Sequence, residues 1–314
     1  MVRWTPAILQ VSLSLMAADA FFFGSVTARA ADASAQFEVD DLDPDESEVD
    51  TENIFGFTDG TDVNEQGERE VSLTGFGGFV RQKEEEADPS RYRAWEAEAE
   101  FEYGITNNLT LGFGAAFSYH SIENVEDMDD VNGGGFNGLS AEMKYRILSR
   151  ENSPVGLAFS IEPEWTRFED DSGERADGFE LNTNLMLDRE LVAEKLYGAI
   201  NFRYAPEWTD GDDGTEKESA LEASGALAWQ VTPGFFLGGE LRYLAGYEGL
   251  TFDEFEGSAF YVGPSVYAQL TRAAFLKVAY SYQVAGSSDE SPGDSLDLVG
   301  HDRQQFLLKF GVEF

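Results

Sequence analysis

Between Tyr92 and Ile105 the chain alternates with period two. Trp95, Ala97, Ala99, Phe101 and Tyr103 share one parity, and Glu96, Glu98, Glu100 and Glu102 share the other. A helix would spread these carboxylates around its circumference, whereas a strand collects them on one side. The stretch is therefore a β-strand with one apolar and one charged face. A strand of that kind needs an apolar environment on one side and water or counter-charge on the other.

The pattern continues almost to the last residue. Leu109, Leu111, Phe113, Phe117 and Tyr119 alternate with Thr110, Gly112, Gly114, Ala116 and Ser118. Later runs set Leu139, Met143 and Tyr145 against Glu142, Lys144 and Arg146, and Phe159, Ile161 and Trp165 against Ser160, Glu162 and Glu164. The final run sets Phe306, Leu308, Phe310, Val312 and Phe314 against Lys309 and Glu313. Counting residues 69–82 as the first, with a bulge expected near Gly77 and Gly78, the sequence predicts twelve such segments. Each has roughly 10 to 14 residues, which a tilted strand needs to cross a bilayer.

The connections alternate in length. Short ones fall at residues 106–108, 148–154, 189–195, 232–234 and 271–273. Long, acid-rich ones fall at 83–91, 120–135, 169–177, 209–218, 248–258 and 286–302. Outward-parity aromatics gather at both ends of the segments. Trp95, Tyr119, Trp165, Phe179, Trp208, Tyr243 and Tyr282 lie at the loop ends; Tyr103, Tyr145, Trp229, Phe235 and Phe314 lie at the turn ends. Two aromatic girdles around an aliphatic band are what the two interfaces of a membrane select. These features predict an all-β fold, an antiparallel up-and-down transmembrane β-barrel of about 12 strands over residues 69–314. Pro163, Pro206 and Pro264 stand inside strands and lack an N–H, so each must interrupt the ladder locally.

The N-terminus reads as an address. Arg3 precedes an apolar run over residues 7–23, broken only by Asp19, and Ala28-Arg29-Ala30 has the small-x-small form of a cleavage site. Residues 1–30 are expected to be an export signal peptide. Residues 31–68 form an acidic disordered arm and a turn-rich lead-in. Asp32 to Ile54 contains ten acids and no Lys or Arg, too polar to order itself. The lead-in carries Phe55 and Phe57 as anchors able to pack against the barrel or into it. The sequence leaves open whether it plugs the lumen.

Composition removes several function classes. The chain of 314 residues has a net charge of −39 and no Cys. Phosphate backbones repel such a chain, so no nucleic-acid partner is expected. Thiol chemistry and Cys-based metal sites are excluded, and two His leave little for a zinc site. No cofactor and no metal are expected. His120-Ser121 and His301 are the only candidates for a phospholipase-like site, and no longer Ser-containing motif follows His120. The acidic run at residues 127–133 departs from the EF-hand pattern. No catalytic residues are assigned.

Inward parity assigns the lumen lining to Glu96, Glu98, Glu100, Glu102, Glu142, Lys144, Arg146, Glu162, Glu164, Glu180, Arg203, Glu222, Glu240, Arg242, Lys277 and Lys309. Charges cannot stay buried unpaired, so these groups either pair or line water. The acids outnumber the bases, which favours cations in a hydrated lumen. A fully salt-bridged interior is the other arrangement the pattern allows.

The leader, the alternating strands and the last strand, Gln304 to Phe314, together resemble a Gram-negative outer-membrane β-barrel. The terminal Phe314, with apolar residues at every second position before it, is similar to the signal read by the barrel-assembly machinery. Among such barrels the chain looks most like uncharacterised transporter or porin-like proteins of proteobacteria. The resemblance implies residence in the cell outer membrane, with lipids, lipopolysaccharide, the assembly machinery and small solutes as partners. The expected function is a passive, cation-preferring channel for small solutes. The alternatives are a non-conducting structural or adhesive barrel whose acidic loops bind divalent cations and, third, an outer-membrane phospholipase-like enzyme. Solute and oligomeric state are not legible.

Overall fold

The structure, a computed structural model, describes residues 49–81, 90–125, 128–170, 172–211 and 214–314. The leader and residues 31–48 of the acidic arm lie outside the described residues. Twelve strands form one closed antiparallel barrel in chain order. They are β1 (Arg69–Phe79), β2 (Arg93–Thr106), β3 (Leu109–Ile122), β4 (Val131–Leu148), β5 (Gly156–Thr166) and β6 (Asp177–Val192). The others are β7 (Leu196–Gly211), β8 (Gly214–Thr232), β9 (Phe235–Glu248), β10 (Glu254–Thr271), β11 (Ala274–Ser288) and β12 (Gln304–Glu313). β1 pairs with β12 from Glu70↔Glu313 to Phe79↔Gln304 and closes the ring.

Parity follows the sequence pattern. Leu73, Phe113, Leu139, Leu185, Phe202, Leu227, Leu241 and Phe310 are exposed on the outer wall. Trp95, Tyr119, Phe179 and Tyr243 are exposed toward one end of it, and Tyr145, Trp229 and Phe314 toward the other. Exposed large apolar side chains in a continuous belt mark a surface that meets lipid rather than water.

β1 departs from expectation twice. It ends at Phe79, before the predicted end at residue 82. Val80 adopts a positive φ of 69°, and Arg81 then lies inside, 2.8 Å from Asp302. No bulge occurs at Gly77 and Gly78, which keep continuous register with both neighbouring strands. Those glycines make room instead. A Cβ at Gly77 would lie 2.8 Å from the Trp95 ring, and one at Gly78 would lie 2.1 Å from the Asp302 carboxylate.

Each strand proline is paired on one side and interrupts the ladder on the other without changing its register. Pro163 faces Leu181 of β6, but β4 and β5 skip from Ser140↔Glu164 to Met143↔Ile161. Pro206 faces Ser219, while β6 and β7 skip from Glu180↔Glu207 to Thr183↔Tyr204. Pro264 faces Gly239, while β10 and β11 skip from Val262↔Tyr282 to Ser265↔Ala279. A missing N–H removes one side of a ladder and leaves the other side intact.

Two expected loops are shorter than the pattern indicates, because pairing outlasts the apolar alternation. β7 and β8 stay in register out to Gly211↔Gly214, where residues 209–218 read as a loop. The 286–302 connection turns back into the barrel mouth instead of projecting from it. Asp297 is buried there, and its carbonyl accepts from Gln283 Nε2 at 2.7 Å.

The lipid-facing reading of the belt has a direct test. Phe202→Arg places a charge in mid-wall and should destabilise the barrel by ~2–4 kcal/mol in bilayers, measured by denaturant unfolding in liposomes. An unchanged midpoint would mean that Phe202 does not face hydrocarbon.

Candidate functional site

The lumen is occupied in part by the chain's own lead-in. Thr51, Glu52, Asn53, Ile54, Phe55, Thr58, Thr61, Asp62, Val63 and Asn64 are all buried inside the barrel. This corrects the reading of residues 32–54 as a disordered arm for the part from Thr51 onward. Ile54 and Phe55 pack at the turn end with Tyr197, Ala199, Ala226, Ala228, Phe236, Tyr267 and Phe275. These inward apolar side chains make a dry floor under an otherwise polar interior.

Carboxylates hold the segment by its backbone. Glu240 accepts from the amides of Gly56 at 3.1 Å, Phe57 at 2.8 Å and Thr58 at 2.8 Å. Asp188 accepts from Thr61 N at 3.0 Å and from the Thr51 hydroxyl. A hydrogen bond to a charged group contributes ~1.5–3 kcal/mol, so the Glu240 cluster is a strong anchor. Gly56 is required there, because a Cβ would lie 2.1 Å from the Glu240 carboxylate.

The segment's own acids find bases on the wall. Glu52 pairs with Lys144 at 2.7 Å. Asp62 pairs with Arg146 at 3.0 Å and also with Arg150. Asp59 lies 3.5 Å from Arg203 and accepts from Asn184 Nδ2 at 3.1 Å. The Phe57 ring sits under the Arg242 guanidinium at 4.2 Å. Burial pushes the Glu52 carboxyl above its ordinary value, and the Lys144 ammonium opposes that rise.

Above the segment, the sequence-assigned lining residues divide into groups. Glu222 is paired to Arg242 at 2.8 Å. Lys309 lies 3.1 Å from Glu70 and 3.8 Å from Glu102. Glu96 accepts from Asn137 at 3.2 Å, Glu98 accepts from Ser140 at 2.9 Å, and Glu180 accepts from Asn182. Glu100, Glu142, Glu162, Glu164 and Lys277 make no hydrogen bond or ion pair with any described residue.

Two cavities result. A chamber of about 170 Å³ lies on the segment. Glu98, Glu100, Glu102, Glu142, Glu162, Lys144, Arg203, Lys277 and Lys309 line it, with Glu52, Asn53 and Asp59 contributed by the segment. A larger cavity of about 600 Å³ opens toward the loop end and includes Glu180, Arg203, Glu222, Glu256 and Asp297 to His301. Arg203 borders both. Arg146 and Glu240 serve the segment and border neither cavity. Glu96 borders a third, smaller space beside His120 and Asp302.

The Glu ladder on β2 has the neighbours its parity implies. Glu98 and Glu100 stand opposite Thr74 and Ser72 on β1 and opposite Ala116 and Gly114 on β3. Small residues on both sides leave space for water. His120 is buried with Nε2 2.8 Å from the Asp170 carbonyl oxygen, and His301 Nδ1 contacts Asp297 at 2.8 Å. Among the described residues no three His, Cys, Asp or Glu groups converge to hold a metal ion.

Glu70, which holds Lys309, and Arg150, which holds Asp62, are absent from the sequence assignment. Asp188 carries the inward parity of its strand. Arg150 sits in a turn, where alternation gives no direction.

The architecture is a closed twelve-stranded antiparallel β-barrel with an apolar outer belt and a charged interior. A family model described as a family of unknown function (DUF6662) matches residues 47–314, and the chain belongs to that family. No curated protein matches it. Among solved structures, the COG4313 outer membrane channel from Pseudomonas putida F1 is similar, with a TM-score of 0.56 and 14 % identity over 81 % of this chain and 98 % of that one. The NanC porin aligns with a TM-score of 0.45 at 12 % identity over 78 % of this chain and 98 % of its own. The KdgM porin in complex with disordered oligogalacturonate aligns at 0.45 and 8 % identity, over 78 % and 99 %.

The Glu240 anchor is testable on the folded barrel. Glu240→Gln should speed hydrogen exchange at the Gly56, Phe57 and Thr58 amides by about tenfold or more, as a charged acceptor becomes neutral. Unchanged exchange would mean that Glu240 does not anchor these amides and that the segment's other contacts hold it.

Proposed function

We propose that this barrel is a passive, cation-preferring outer-membrane channel for small solutes, narrowed by its own N-terminal segment. The observation that carries this reading is the set of unpartnered carboxylates, Glu100, Glu142, Glu162 and Glu164, on one side of the interior. A wall of like charge beside water raises the local concentration of counter-ions and excludes anions. A purely structural barrel would gain by pairing these groups or replacing them with apolar side chains.

Glu98 and Glu100 have small neighbours, and Arg203 borders both the outer cavity and the inner chamber. A small solute entering from the loop end crosses an acid-rich outer cavity, passes Arg203 and then reaches the inner carboxylate wall. Residues 51–64 form the floor below. In this reading the leader exports the chain, and Phe314 ends the closing strand where the barrel-assembly machinery can read it. Phe314 is exposed on the outer wall, with its amide donating to the Arg69 carbonyl at 2.8 Å.

Planar-bilayer recordings test the proposal. The full chain should show a small conductance with a reversal potential of cation sign in a salt gradient. Changing Glu98, Glu100, Glu142 and Glu162 to Gln should move that potential toward zero, with heat-modifiable gel migration preserved. Removing residues 49–64 should raise the conductance several-fold by emptying the floor. Anion preference in the wild type, or no current even after that deletion, would overturn the reading.

A further inference from the structure

Lys277 is the one lumen base that the barrel and its inserted segment leave without a partner among the described residues. It lies on the inner face of β11 at 5 % exposure. Its cross-strand neighbours are Lys309 on β12 and Tyr267 on β10. Lys309 holds Glu70 and Glu102, the segment's amides occupy Glu240, and Asp59 faces Arg203 and Asn184, so the acids around Lys277 are already engaged. A buried ammonium without an acceptor is unfavourable unless water or an anion reaches it. The space it reaches is the inner chamber, which it lines.

The same chamber carries Glu100, Glu142 and Glu162, acids that also lack partners. The ring order places Glu142 and Glu162 well away from Lys277, whereas Glu100, on β2, is separated from it by only β12 and β1. Between β11 and β5 lie five strands in either direction around the barrel, so Glu162 stands on the wall opposite Lys277. Glu142, on β4, is its neighbour. The chamber is thus bipolar, with an unpaired cation on one wall and unpaired anions on the other.

A bare cation would satisfy the carboxylates and leave Lys277 alone. A bare anion would satisfy Lys277 and face the acidic wall. One solute bearing both an ammonium and a carboxylate satisfies both walls at once. The chamber holds about 170 Å³, the share of roughly six waters, which suits a molecule of amino-acid size.

We infer that the inner chamber is a binding site for a small zwitterion of the amino-acid type. Its ammonium sits against Glu142 and Glu162, and its carboxylate against Lys277, with Arg203 at the chamber's outer border. The inference deepens the channel reading and rests on it for the route by which the solute arrives.

Calorimetry on the refolded full chain in detergent micelles tests the site directly. The probes are γ-aminobutyrate and its one-headed counterparts, butylammonium and butyrate. γ-Aminobutyrate should bind one to one, roughly tenfold to a hundredfold more tightly than either counterpart, because each head adds charge-assisted hydrogen bonds. Lys277→Met should reduce its affinity to that of butylammonium, and Lys277→Arg should retain most of it. Glu142→Gln together with Glu162→Gln should weaken γ-aminobutyrate and butylammonium and spare butyrate. Equal binding of γ-aminobutyrate and butylammonium, or indifference to Lys277→Met in a barrel that still migrates as folded, overturns the inference. Calorimetry does not depend on current. A barrel that binds but never conducts retains this site and loses the channel reading, whereas one that conducts without binding loses only this site.

Discussion

In hydrocarbon every backbone N–H and C=O must find its partner inside the protein, and each one left over costs several kcal/mol. The pairing of β1 with β12 meets that constraint for the whole sheet. It leaves no edge, fixes which parity faces lipid and thereby fixes which charges face inward. The three strand prolines show how far the rule bends. Each gives up one side of its ladder and keeps the other, so the ring stays closed. The inward charges follow from closure, and the inserted segment is one way of settling them.

That segment does what water would otherwise do for part of the lumen. Without it Glu240 would lose the three backbone amides that satisfy it, and Asp188 would keep only Arg150, 3.5 Å away. Lys144, Arg146 and Arg150 receive counter-charges from Glu52 and Asp62. The pairing is incomplete in one direction only. Near the turn end the acids and bases are nearly all engaged; higher up, Glu100, Glu142, Glu162 and Lys277 remain for solvent or solute.

The barrel was legible because period-two alternation is a local signal and lipid enforces it strand after strand. Glu96 to Glu102 could be assigned inward from four consecutive repeats alone. The inserted segment was not legible in the same way. Asn53-Ile54-Phe55-Gly56-Phe57 has no period, and its partners lie far along the chain, Glu240 among them. Parity counted Glu240 as one more lumen acid and could not distinguish a wall charge from an acceptor for backbone amides. Arg150, in a turn, and Asp297, in a loop that folds inward, carry no alternation to read. The unpaired state of Lys277 depends on Lys309 having taken Glu70 and Glu102, a four-strand relation beyond any linear pattern.

The segment is joined to β1 by only residues 65–68, and that short connection has a consequence for its thermodynamics. A plug so tethered cannot diffuse away when its contacts break. Its effective concentration at the floor stays near the millimolar range that short linkers impose. Opening is therefore a unimolecular equilibrium, independent of how many copies the membrane holds. Its position would be set by the contacts to Glu240, Asp188, the wall bases and the turn-end aromatics together. Reclosing would need no search through the surrounding solution.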